Sequence, residues 1–154
     1  RVDAYGEVDE TNAAIGVVIA ESTDKKLNAN LQRIQADLFM LGAELATPTD
    51  QVRQWTIRES HVTRLEHQID EASAISPPMR NFVLPGGHPG AARLHLARTV
   101  CRRAERAVVA LTKQQPVGEW VIPYLNRLSD LLFALARAAN TQNGVEDIPW
   151  TPES

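Results

Sequence analysis

A chain of 154 residues, 44% hydrophobic and 23% charged, suits one domain, 1–154, that buries roughly 70% of the surface its unfolded form exposes. Its formal net charge of −3 argues against nucleic acid as a bulk electrostatic partner, and no apolar run approaches the ~20 residues needed to span a bilayer. A single cysteine, Cys101, excludes an internal disulfide and any multi-cysteine zinc site, which fits a reducing compartment.

The chain opens at Arg1 rather than methionine, so residues are expected upstream, and any targeting signal would lie with them. Residues 4–22 read as a first helix, with Ala4, Val8, Ile15 and Ile19 on one apolar side. If it starts early, Asp3, Glu7 and Glu10 share a face, an acidic strip that complements arginines elsewhere or simply suits a helix N-terminus. A polar break at 22–26 leads to a second helix, 27–46, whose Leu27, Leu31, Ile34, Leu38, Leu41 and Leu45 make it plain scaffold. Pro48 ends that helix, and 47–54 form a loop.

The spacing of Ile57, Val62, Leu65 and Ile69 predicts a third helix over 56–73. Its His61 and His67 lack the carboxylate spacing of a di-iron bundle and read as surface residues. Residues 75–90, ISPPMRNFVLPGGHPG, are too rich in Pro and Gly to continue a helix. Gly86-Gly87 lacks the lysine and the βαβ context of a phosphate loop, and serves to turn the chain so that Pro89 starts a fourth helix. Phe82 and Leu84 in this loop either plug an edge of the core, the commoner outcome, or contact a ligand.

On the fourth helix Arg98, Arg102, Glu105, Arg106 and His95 share one face, while Leu94, Ala97, Cys101, Ala104 and Val108 make an apolar arc. Arg103 stands off the charged strip. Arg98 and Arg102 are like charges at i,i+4, costing an isolated helix about 0.2–0.5 kcal/mol. Something anionic must offset that: acids of a neighbouring helix, or a polyphosphate whose oxygens suit the guanidinium fork. Cys101 reads as a small core residue, and His88 and His95 as capping or packing residues before ligand contacts.

Pro116 and Gly118 precede a fifth helix, 119–142, with Tyr124, Leu125, Leu128, Leu132, Leu135 and Ala139 on its buried side. Asn126, Asp130, Phe133 and Arg137 form a second mixed strip. Gly144 stops the helix and 145–154 read as an irregular tail that Trp150 anchors, whereas Trp55 and Trp120 pack at helix starts. The architecture expected is all-α, a five-helix up-and-down bundle that associates with itself through the two strips.

Four stretches, RVDAYGEVDETNAAIG at 1–16, FVLPGG at 82–87, ARTVCRRAER at 97–106 and YLNRLSDLLFALAR at 124–137, resemble the ATP:cob(I)alamin adenosyltransferases of the propanediol-utilisation type. RRAER together with LNRLSD is a specific signal. The resemblance implies a ferritin-like, cobalamin adenosyltransferase-like bundle forming a homotrimer, with an active site at each subunit interface. It implies transfer of the 5′-deoxyadenosyl group of ATP to cob(I)alamin, giving adenosylcobalamin and triphosphate. Carried over by motif, Arg102, Arg103, Glu105, Arg106 and Asn126 would contact or organise ATP, Arg98 would pair across the interface with Asp3, and Phe82 would sit beneath the corrin ring. Mg2+ would be held mainly by the triphosphate, with no metal site in the protein itself. An adenosylcobalamin-dependent mutase or dehydratase would receive the product, in a cytoplasm or a mitochondrial matrix.

The family's N-terminal Thr/Gly/Asp-rich segment, with a lysine that also holds ATP phosphates, is not among these residues. Either it precedes Arg1 or the chain lacks it. Thr11 stands where the family has an aliphatic residue. An escort that binds nucleotide or cobalamin without catalysis, and a ligand-free structural bundle, are the competing readings.

Overall fold

A computed structural model describes residues 1–48 and 50–153. Five helices carry the fold: α1 (Val2–Glu21), α2 (Lys25–Ala46), α3 (Glu59–Ser73), α4 (Pro89–Leu111) and α5 (Val121–Gln142). Of the expected loop 47–54 and tail 145–154, Thr49 and Ser154 lie outside the described residues.

The helices do not simply pack in chain order. The extensive contacts are α4 on α5, α1 on α4, α3 on α5 and α2 on α1, so α4 and α5 form the central pair and α2 and α3 lie at the flanks. Packing follows the apolar arcs: Leu94, Ala97, Cys101, Ala104 and Val108 of α4 are buried, as are Tyr124, Leu125, Leu128 and Leu132 of α5. Each fully buried Leu contributes about 1.5–3 kcal/mol relative to exposure. Cys101 is a core residue, its Sγ donating to the Leu125 carbonyl at 3.4 Å. Burial, then Glu105 and Asp130, push its thiol pKa far up, so it stays protonated.

One buried polar node ties the flanks to the centre. Asp37 of α2 accepts from the Tyr124 hydroxyl at 2.8 Å and pairs with Arg64 of α3. Burial and then Asp37 raise the Tyr124 pKa, so the phenol remains a donor.

Two sequence expectations fail at the start of α3. The helix begins at Glu59, because Glu44, buried in α2, accepts the Ile57 amide at 2.8 Å and holds that residue outside the helix, where Ile57 is still buried. Trp55, expected to pack, is 58% exposed. His61 does more than decorate the surface: its Nδ1 accepts from the Arg58 amide at 2.9 Å and helps cap α3. Trp120 packs partly buried against the core as expected.

His88 caps α4, its Nδ1 accepting from the Gly90 amide at 3.2 Å with Pro89 in the first turn. Gly87 adopts a φ of +106°, and a Cβ there would collide with Asn140 of α5. Among the described residues no helix is long and apolar enough to cross a membrane.

Candidate functional site

The two mixed strips that the helical periodicity isolates meet across one cleft. Arg98, Arg102, Glu105 and Arg106 line it from α4, and Asn126, Asp130, Phe133 and Arg137 line it from α5. Ile69 and Ser73 at the end of α3, Met79 and Phe82 of the following loop complete a cavity of about 950 Å³, at the upper end of the range typical of small-molecule sites. Within the subunit the two strips therefore face each other across one cleft, the setting for a ligand that the helical periodicity of α4 allows.

Charge on the α4 wall is not neutralised. Among the described residues Arg98, Arg102 and Arg106 form no ion pair. The Arg98 guanidinium lies 5.7 Å from the centre of the Phe133 ring, and its buried Nε has no hydrogen-bond partner. Burial, then the neighbouring Arg102 charge, lower its pKa, yet a guanidinium stays charged at any physiological pH. The Phe133 ring offsets part of the cost of burying this charge, and an anionic ligand would offset more for an unpaired, partly desolvated cation beside a second one.

Glu105 and Asn126 bridge the walls. The Asn126 Nδ2 donates to Glu105 Oε2 at 3.3 Å, and Arg127 donates to Asn126 Oδ1 at 2.7 Å and to Glu66 Oε2 at 3.1 Å. This relay fixes the Asn126 amide, because its oxygen is already engaged by a cation. His95 lies buried behind the wall, edge-on to Phe133 at 5.9 Å, with both ring nitrogens unpartnered. Burial first and Arg98 second lower its pKa, with Asp147 opposing them, so it packs as a neutral imidazole.

Arg103 and Asp3 do not reach this cleft within the chain. Arg103 points to α1, where its Nε donates to Glu7 Oε2 at 2.7 Å and its Nη2 pairs with Glu10. Those hydrogen bonds raise its pKa. The acidic strip of α1 thus complements an arginine, though not one of the main strip. Asp3 is exposed in the first turn of α1 and makes no ion pair among the described residues.

Phe82 and Leu84 do not plug the core edge, the commoner of the two roles expected of them. They are 75% and 47% exposed, because the loop is held outward by backbone pairing with the tail. Leu84 N donates to Ile148 O at 2.8 Å and Trp150 N to Phe82 O at 2.6 Å around a Val83–Pro149 antiparallel bridge. The tail is accordingly not irregular there, and Trp150, half exposed, anchors it through its amide rather than its indole.

The family described as cobalamin adenosyltransferase matches residues 1–139. The chain belongs to the cobalamin adenosyltransferase family. It is 48% identical to a corrinoid adenosyltransferase of Mycobacterium leprae, over 99% of this chain and 83% of that one. It is 44% identical to a corrinoid adenosyltransferase of Bacillus subtilis, over 97% and 79%. A variant PduO-type ATP:corrinoid adenosyltransferase from Lactobacillus reuteri, solved in complex with cobalamin and ATP, superposes with a TM-score of 0.93 at 37% identity, covering 99% of this chain and 86% of that one.

In this adenosyltransferase, sequence reasoning missed Asn140 and Asp147, which with Arg137 of the second strip hold the loop. Asn140, buried near the end of α5, accepts from the His88 amide at 2.8 Å and donates to Gly86 O at 3.0 Å and Asp147 Oδ1 at 3.2 Å. Arg137 donates to Asp147 Oδ2 at 2.9 Å and to Pro77 O at 2.8 Å. The only trace in the sequence is a polar Asn at the end of an otherwise apolar arc, facing a Gly-Gly pair.

Proposed function

We propose that this corrinoid adenosyltransferase runs its reaction in the α4–α5 cleft, transferring the 5′-deoxyadenosyl group of ATP to cob(I)alamin. One observation carries the reading: three arginines without carboxylate partners share a cavity whose rim bears an exposed loop phenylalanine. The cobalt of cob(I)alamin supplies its own electron pair and attacks the 5′ carbon. A Co–C bond forms, the C5′–O bond breaks, and triphosphate leaves with the bonding electrons. The protein therefore needs no nucleophile of its own, only positioning and charge stabilisation.

In this reading ATP enters as its magnesium complex, and Arg102 and Arg106 take up negative charge on the departing triphosphate. Asn126, oriented by Glu105 and Arg127, holds the nucleoside part. Arg103, fixed to α1, organises the site by setting α1 against α4. Phe82 lies beneath the corrin ring, where an apolar side chain disfavours a lower axial ligand and eases reduction of the cobalt. A homotrimer completes each site, with Asp3 of a neighbouring copy pairing with Arg98; that carboxylate would compensate the arginine left unpaired inside the subunit. The product is handed to an adenosylcobalamin-dependent mutase or dehydratase in the same compartment, a cytoplasm or mitochondrial matrix.

Incubation of the full-length protein with chemically reduced cobalamin, magnesium and ATP, without oxygen, tests this. Conversion to the light-sensitive adenosylcobalamin spectrum with release of triphosphate is expected. Tight binding of ATP or adenosylcobalamin without conversion would instead establish the escort.

A further inference from the structure

The loop that carries Phe82 has little to hold it by itself. Its two hydrogen bonds to the tail join residues that are all largely exposed: Phe82, Leu84, Ile148 and Trp150. An isolated pair of short antiparallel segments is at best marginal in water. Gly144, at a φ of +69°, turns the tail back after α5, and Val145 N donates to Asn140 O at 2.8 Å. Neither contact fixes where the strand-like segment lies beyond that turn.

Asp147 does. Its side chain is 16% exposed, against 12% for its partner Arg137, so this ion pair is shielded well beyond an ordinary surface pair. One carboxylate oxygen accepts from Arg137 and the other from Asn140. Those two residues also grip both ends of the Phe82 loop, Arg137 at Pro77 O and Asn140 at Gly86 O and the His88 amide. One carboxylate on the tail thereby joins the tail, both roots of the loop and the last turns of α5 in one network.

We propose that Asp147 is a positioning residue for the cobalt reduction that precedes adenosyl transfer: by clamping the tail onto α5 it fixes the segment 82–84 and so the place of the Phe82 ring at the cleft. The inference rests on the adenosyltransferase reading for its consequence, although the clamp itself does not. Arg137 also lines the cavity and would touch ligand directly, whereas Asp147 is absent from the cavity wall and acts only through the loop.

Two measurements on the full-length protein test it. Amide hydrogen exchange should show the Leu84 and Trp150 amides of Asp147→Ala losing protection by roughly tenfold or more, as for loss of a charge-assisted hydrogen bond. Core amides of α4 such as Cys101 should keep theirs, which shows that the fold is intact. Turnover from cob(II)alamin plus reductant should fall roughly 10- to 100-fold, the scale of a misplacement by about 1 Å. Turnover from pre-reduced cob(I)alamin and the KM for ATP should change little, because only the reduction step needs the ring under the cobalt. Asp147→Asn, which keeps one acceptor oxygen, should recover part of both effects, and it replaces Asp147→Ala in both measurements if the latter loses protection throughout α4. Unchanged Leu84 and Trp150 amides would overturn the clamp, and equal slowing from both cobalamin states would overturn its link to Phe82. If the wild-type protein transfers no adenosyl group, the functional reading fails instead, while the exchange measurement still decides whether Asp147 holds the loop.

Discussion

Arg102 and Arg103 are adjacent in the chain and opposite in fate. Arg103 faces α1, where two carboxylates clasp it and raise its pKa. Arg102 faces the cleft and has no such partner, with Arg98 one turn away and Arg106 one turn further on. One turn of one helix therefore contains a cation paired across two helices and another that faces the cleft without a carboxylate partner among the described residues. Residue type does not separate the paired arginine from the unpaired one; the helix each faces does.

Changes on the cleft side should appear in turnover and ligand affinity, and changes on the α1 side in stability. The largest effect expected is from Phe82→Ala, which should slow transfer from cob(II)alamin plus reductant about 10- to 100-fold more than transfer from pre-reduced cob(I)alamin. Equal slowing would take Phe82 out of the account. Next comes the proposed pair between subunits: a double-mutant cycle on Asp3→Ala and Arg98→Ala, read as trimer dissociation, should give a coupling of about 0.5–3 kcal/mol. Zero coupling would mean that Arg98 stays bare in the assembly. Arg103→Ala should lower the melting temperature by an amount that shrinks in high salt, as for any exposed ion pair. A loss independent of salt would show that packing, not charge, holds it.

The smallest effect is on His95, buried neutral with its folded-state pKa below the ordinary value. Above pH ~6.5 neither state takes up the proton, so its contribution is constant. As pH falls below that value the unfolded chain binds a proton that the folded protein resists, and stability drops until the folded-state pKa is passed. Denaturant titrations at pH 7.5 and 5.5 should show a decline that His95→Phe reduces; identical declines would remove His95 as its source.

The arginine strip and the Asn126 strip were legible in the sequence because both obey the 3.6-residue period of one helix, which needs no knowledge of neighbours. The heptad-like leucines of α2 and the apolar arcs of α4 and α5 were legible for the same reason. What lies opposite each strip was not. The Glu7–Arg103 contact spans 96 residues and Asn140–Gly86 spans 54, separations at which no periodicity reports. Ile57 fitted the spacing of α3 yet sits outside the helix, because a buried glutamate of α2 captures its amide. Of the two roles open to Phe82 and Leu84, the core-edge one fails for a related reason: an apolar residue in a loop is expected to seek the core, and only the tail pairing shows why these two do not.

The central claim is that bare arginines in the cleft bind the nucleotide while the clasped one beside them does not. Calorimetric titration of ATP with magnesium into Arg102→Ala and Arg103→Ala tests it side by side. The account predicts that Arg102→Ala weakens ATP binding by about 1.5–3 kcal/mol, the worth of a charged hydrogen bond, while Arg103→Ala, which only loosens α1 against α4, weakens it clearly less. Equal losses, or a larger loss at Arg103, would contradict it.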